Sequence, residues 1–122
     1  ANSGIFFHTA YQETGWPNKG YEVQVNQTHS DWRKSGSLYS FSDVREVHVK
    51  DGEWYTTHIT VKGDHVVIKI NGKIVTDYTE SKDTNRPANA GEKKFDKGTF
   101  AIQAHDPESV IYYKSIKVKV LD

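Results

Sequence analysis

The sequence predicts an all-β domain, an antiparallel sandwich or barrel. Three observations carry that reading. Stretches in which apolar and polar residues alternate recur along almost the whole chain, and no stretch shows the apolar period of an amphipathic helix. Between two alternating runs stands Asn71-Gly72, a pair suited to a type I′ hairpin turn because both central positions there need positive φ.

Taken in order, the first strand is SGIFFHT (residues 3–9), with Ile5 and Phe7 on one face and Phe6 and His8 on the other. GYEVQVN (20–26) follows, with Tyr21, Val23 and Val25 facing one way and Glu22, Gln24 and Asn26 the other. GSLYSF (36–41), REVHVK (45–50) and EWYTTHITVKG (53–63) read as extended segments rich in β-branched and aromatic residues. DHVVIKI (64–70) and KIVTDYT (73–79) flank the Asn71-Gly72 turn. GTFAIQAH (98–105) sets Phe100, Ile102 and Ala104 against Ala101, Gln103 and His105, and SVIYYKSIKVKVL (109–121) closes a series of about nine strands. The expected core is Val23, Ile59, Val61, Val66, Ile68, Phe100 and Ile102. Two loops interrupt the series: TAYQETGWPNKG (9–20), with Trp16 before Pro17, and the polar ESKDTNRPANAGEKKFDKG (80–98). Long loops in compact domains often carry function. No repeat or linker divides the chain, so residues 1–122 are read as one domain.

Charge and composition narrow the partners. Sixteen basic residues balance 16 acidic ones, so no net field attracts nucleic acid or an anionic membrane, and a neutral or polar ligand is expected. No apolar run approaches a membrane span and no signal-like segment opens the chain, so a soluble domain is expected. The absence of cysteine removes disulfides and thiolate metal sites and leaves the compartment open. GxSxG, P-loop, Rossmann and HExxH motifs are absent. His29, His48, His58 and His65 lack metal-ligand spacing, and Asp83, Asn85, Asn89 and Asp96 in the long loop form no EF-hand pattern, so neither metal nor cofactor is expected. Trp32 and Trp54 read as core or rim aromatics.

One face remains unexplained by packing. Three strands place His8, then Glu22 with Gln24, then Gln103 with His105 opposite their core residues, where a merely solvated sheet favours long charged side chains such as Lys117 and Lys119. NSGIFFHT, GYEVQVN, GSLYSF, the run from GEWYTTHITVKG through the Asn71-Gly72 hairpin to TDYTE, and the closing GTFAIQAHDPESVIYYKSIKVKVL block resemble, in that order, the 3-keto-disaccharide hydrolase domain family. The resemblance covers nearly the whole chain. It implies a concanavalin A-like jelly roll, two antiparallel sheets with a concave face that holds carbohydrate, and an extracytoplasmic location. It departs at His8, where family members usually carry Arg, and in the strands that precede the SGIFF block in the family. A sandwich without those strands has an unpaired edge, so pairing with another chain is expected.

The resemblance also implies a chemistry. A ketone at sugar C3 acidifies the C2 hydrogen, so a base can remove it while the oxygen at C1 leaves, and water then adds to the enone. Glu22 and His105 fit the base and acid of that route. Gln24, Asn26, Gln103 and His8 are the expected hydrogen-bonding contacts to a 3-keto sugar or disaccharide, with Trp16 or Tyr39 stacking on a ring. The alternative from another class is a non-catalytic carbohydrate-binding module, in which Glu22 is a structural carboxylate and His105 caps a strand end.

Overall fold

The structure, a computed structural model, describes residues 1–80, 98–104 and 106–121. Six strands form two antiparallel sheets, and no helix occurs among the described residues. β1 (Asn2–Thr9), β2 (Tyr21–Asn26) and β6 (Thr99–Ile102) make one sheet in the order β2-β1-β6. β3 (Thr57–Lys62), β4 (His65–Ile70) and β5 (Lys73–Thr79) make the other, in the order β3-β4-β5. The expected antiparallel sandwich is therefore what the chain forms. The β4–β5 turn has the predicted backbone, with φ of 50° at Asn71 and 82° at Gly72.

The core lies where the two sheets face each other. Phe7, Tyr21 and Val23 of the first sheet pack with Leu38, Val66 and Ile68, and Ile59, Val61, Val75, Tyr78 and Phe41 fill in around them. Each fully buried Val or Ile contributes about 1.5–3 kcal/mol of transfer free energy, so this cluster supplies most of the drive to close the sandwich. Tyr21 ties the layers by a polar contact as well, donating from its hydroxyl to Glu80 at 3.0 Å.

Of the expected core residues, Ile59 and Val61 are only partly buried and two are exposed. Phe100 is 56% exposed and Ile102 46%, although register places Ile102 opposite Ile5, on the face that carries Val23. β6 is an edge strand and none of its residues joins the core cluster. Alternation fixes which face a side chain takes, but not whether another layer covers that face.

Three of the expected strands are also replaced by irregular chain. GSLYSF runs beside β2, with Tyr39 N donating to Glu22 O, Gln24 N to Ser37 O and Gly36 N to Gln24 O. Positive φ at Gly36 (91°) and Ser40 (68°) breaks the extension, and Leu38 N turns back to Ser42 O at 2.9 Å. REVHVK forms no ladder; just before it, Val44 N donates to Ser37 Oγ at 2.7 Å and Val44 O accepts from Lys34 N. Residues 109–121 take no strand and are mostly exposed, because alternation without a neighbouring strand leaves the backbone groups nothing to pair with. EWYTTHITVKG becomes extended only from Thr57.

Gly36 lies against β4 and β5 of the second sheet. A Cβ added there would stand 2.5 Å from Val75 Cγ2 and 3.1 Å from Ile70 Cδ1, and its carbonyl accepts from Thr76 Oγ1 at 2.8 Å. Gly52 has a similar φ, 82°, with open space around it. Gly52→Ala is therefore expected to cost about 1–2 kcal/mol of backbone strain, and Gly36→Ala about 1–3 kcal/mol more from overpacking. Denaturant unfolding measures both; equal losses would contradict the inter-sheet role of Gly36.

Candidate functional site

The polar face expected from sequence exists, on the side of the β2-β1-β6 sheet that faces away from the core. Register pairs Asn2 with Asn26, Gly4 with Gln24 and Phe6 with Glu22 across β1 and β2. On the other flank of β1, Phe6 pairs with Ala101, and Gln103 N donates to Gly4 O at 2.9 Å. Directly paired residues share a face, so Glu22, Gln24 and Gln103 come together as predicted. Between the two glutamines the central strand offers only Gly4, which leaves a slot in the surface.

Glu22 lies in that slot. A Cβ added at Gly4 would meet Glu22 Oε2 at 2.4 Å and its Cδ and Cγ at 2.7 Å, so the carboxylate side chain rests on the bare backbone of β1. From the far side, Gln103 Nε2 donates to Glu22 Oε2 at 3.2 Å. Glu22 is buried, as are Gln24 and Asn26. A carboxylate held this way is oriented before any ligand arrives.

Tyr39 borders the same site through its backbone bond to Glu22. Its hydroxyl donates to Asp31 Oδ2 at 3.5 Å, and the Arg33 guanidinium sits 4.5 Å from its ring centroid and 4.7 Å from that of Trp32. With one ring face under Arg33, Tyr39 shares its stacking surface with a cation. Burial pushes the phenol above its ordinary value of 10.0, supported by Asp31, opposed by Arg33, and supported further by Glu22 and Asp43. Tyr55 is raised as well, chiefly by burial, against the lowering effect of its contacts with Ser35 and Gln27.

Asn26, an expected sugar contact, has partners within the chain. Its Nδ2 donates to Asp31 O at 2.8 Å and Arg33 O at 2.9 Å, and its Oδ1 accepts from His29 N at 2.9 Å. The amide is committed to holding residues 29–33 over the end of the polar face. His8 also departs from the pattern. It lies at a register shift between Phe6 and Thr9 with φ of 54°, and its ring packs edge-on against Phe7, 5.3 Å between centroids. The bulge interrupts the alternation that would have aligned His8 with Glu22. Trp16 is 57% exposed on the β1–β2 loop, which enters β2 at Tyr21, next to Glu22. His105 and the loop residues Asp83, Asn85, Asn89 and Asp96 lie outside the described residues. Trp32 and Trp54 are surface aromatics, Trp32 lying 4.0 Å from the Arg45 guanidinium. Among the described residues no group of three His, Cys, Asp or Glu side chains is arranged to hold a metal, and no helix is long and apolar enough to cross a membrane.

The family model for the 3-keto-alpha-glucoside-1,2-lyase-like domain matches residues 1–119. The chain belongs to this family. Two solved structures share the fold of this lyase-like domain, both proposed glycosyl hydrolases from Parabacteroides distasonis ATCC 8503. One superposes with a TM-score of 0.68 at 20% identity, covering 84% of this chain and 58% of its own. The other gives 0.61 at 21% identity, covering 88% of this chain and 65% of its own. The lyase-like domain thus spans less than two thirds of either relative. No curated protein matches it.

Gly4, whose missing side chain seats Glu22, is not among the residues that alternation singles out. The signal was available as an isolated glycine inside a strand pattern, which marks a close approach.

Two predictions follow from this geometry. Asn26→Ala removes three hydrogen bonds to one loop, so a loss of about 1–3 kcal/mol is expected, with faster hydrogen exchange at the amides of residues 29–33; unchanged exchange would contradict the anchoring role. The raised phenols of Tyr39 and Tyr55 keep their protons longer in the folded than in the unfolded chain, so their linkage leaves stability untouched below the ordinary value of 10.0 and reduces it as pH rises beyond. Unfolding measured from neutral to about pH 11 is expected to show this fall, and a Tyr39→Phe, Tyr55→Phe double variant a smaller one.

Proposed function

We propose that the domain binds a sugar whose C3 is a ketone and cleaves its glycosidic bond by elimination, with Glu22 as the base. The observation that carries this is the Glu22 carboxylate lying over Gly4 and fixed by Gln103 Nε2 at 3.2 Å, in a slot between two amides. The family's description as 1,2-lyase-like fits an elimination across C1 and C2.

In this reading the carboxylate takes the C2 proton, acidified by the adjacent ketone, and the C2–H electron pair forms the C1=C2 double bond. The C1–O bond breaks and its electrons leave on the glycosidic oxygen, which needs a proton from an acid. Water then adds to the enone. His105, two residues beyond Gln103 in the chain, is the acid candidate by its sequence position alone. Orientation before binding is what favours Glu22 as a base, because the geometry of proton transfer is set before the substrate arrives. A second reading, a non-catalytic carbohydrate-binding module, is favoured by the exposed indole of Trp16 on the loop next to β2.

The test is incubation of the protein with 3-keto and ordinary disaccharides. Cleavage of the 3-keto compounds alone is expected, and Glu22→Gln should lower turnover roughly 100-fold or more with little change in binding. Full turnover in Glu22→Gln would overturn the base assignment. Sugar binding that Trp16→Ala abolishes, without cleavage of any substrate, would establish the binding module instead.

A further inference from the structure

We propose that the slot over Gly4 selects its sugar through two acceptor oxygens, Gln24 Oε1 and Gln103 Oε1, each taking a hydrogen bond from a ring hydroxyl of a neutral sugar. This rests on the carbohydrate reading above and adds the hydrogen-bond polarity of the ligand to it.

The two glutamines stand on either side of Gly4, one on β2 and one just beyond the end of β6. Two strand spacings separate their backbones, about 10 Å, with no side chain between them on the central strand. Each amide has its nitrogen turned to a protein acceptor: Gln103 Nε2 to the Glu22 carboxylate at 3.2 Å, and Gln24 Nε2 to Arg33 O at 3.5 Å. Their oxygens then point elsewhere. Both Oε1 atoms are buried, and neither accepts a hydrogen bond among the described residues. Gln24 as a whole is 2% exposed. Native structures keep few buried acceptors unpaired, so two that flank one slot and have no donor among the described residues suit the hydroxyls of a ligand.

With the Glu22 carboxylate, which also only accepts when ionised, the three groups form a lining that wants hydroxyl hydrogens. An anionic sugar would bring further acceptors and a like charge. A hard cation also takes oxygen ligands, but sites for it draw on several carboxylates, and among the described residues no three His, Cys, Asp or Glu side chains are arranged to hold a metal ion. A polyhydroxylated neutral ring supplies two donors at once.

The experiment titrates the protein with methyl α-glucoside and with its four monodeoxy analogues. None carries the ketone, so binding is read apart from turnover. Two of the deoxy positions are expected to weaken binding about 10-fold each, and Gln24→Met and Gln103→Met to weaken the parent glucoside about 10-fold each. Each deoxy loss should vanish in one of the two variants, which pairs a hydroxyl with an amide. The proposal is overturned if all analogues bind as the parent does, if the deoxy losses persist in both variants, or if calcium or magnesium fills the slot in place of the sugar. Should a variant fail to fold, the wild-type series still decides. If the pairing appears while Glu22→Gln retains full turnover on a 3-keto substrate, the base assignment fails and the selection by Gln24 and Gln103 stands.

Discussion

All six residues of β2 are buried, three with apolar side chains on the core side of the sheet and three with polar ones on the outer face. That double burial constrains everything around it. Of the inner set, Tyr21 and Val23 find their apolar company in the core cluster with Val66 and Ile68 of the β3-β4-β5 sheet, and the Tyr21 hydroxyl donates to Glu80. The outer set must find hydrogen bonds or remain a standing cost. Asn26 finds its own in the loop of residues 29–33, whereas Glu22 reaches across β1 to Gln103. Gln24 satisfies one end of its amide and leaves the other. The contrast between Asn26, whose amide is committed to the loop, and Gln24, whose Oε1 has no partner among the described residues, separates the structural end of the face from the part suited to a ligand.

Gly4 converts that strand into a site. Any side chain at this position would occupy the space in which Glu22 lies, so the carboxylate would have to stand away from the sheet. The floor of the slot is backbone, rigid because β1 is paired on both sides. Phe6, the next residue of β1 on the same face, is buried between Glu22 and Ala101 and gives the slot an apolar end wall. A polar group poised on a rigid strand differs from one on a loop in how little it must reorganise, which is the property a base for carbon acids requires.

The sequence was most informative where alternation and turn chemistry agreed. β2, β4 and β5 with the Asn71-Gly72 turn were readable because their apolar faces meet the core and the turn needs residues tolerant of positive φ. It was least informative where alternation lacked a neighbour: residues 109–121 carry a strand pattern as strong as that of β4 and form none, and Ile102 faces the core side without being covered. The convergence of Glu22, Gln24 and Gln103 followed from parity alone, because paired strands keep a face through the sheet. The loss of His8 from that face did not, since the bulge after Phe6 changes parity and depends on how β6 pairs with β1. The loop contacts of Asn26 were not legible, because a polar residue on this face looks the same in sequence whether its partner is a sugar or a nearby loop; here His29 N, Asp31 O and Arg33 O are its partners.

The central claim is that Glu22, resting on the bare backbone of Gly4, is the base for a proton next to a ketone. Its most direct measurement is the exchange of the C2 hydrogen of a 3-keto-glucoside in heavy water, followed by NMR with the wild-type protein and with Gly4→Ala, which leaves Glu22 in the sequence and removes the room it occupies. The account predicts C2-specific exchange with the wild type and at least about a 10-fold slower rate with a folded Gly4→Ala variant. Exchange at the same rate in both, or none with the wild type, would contradict it.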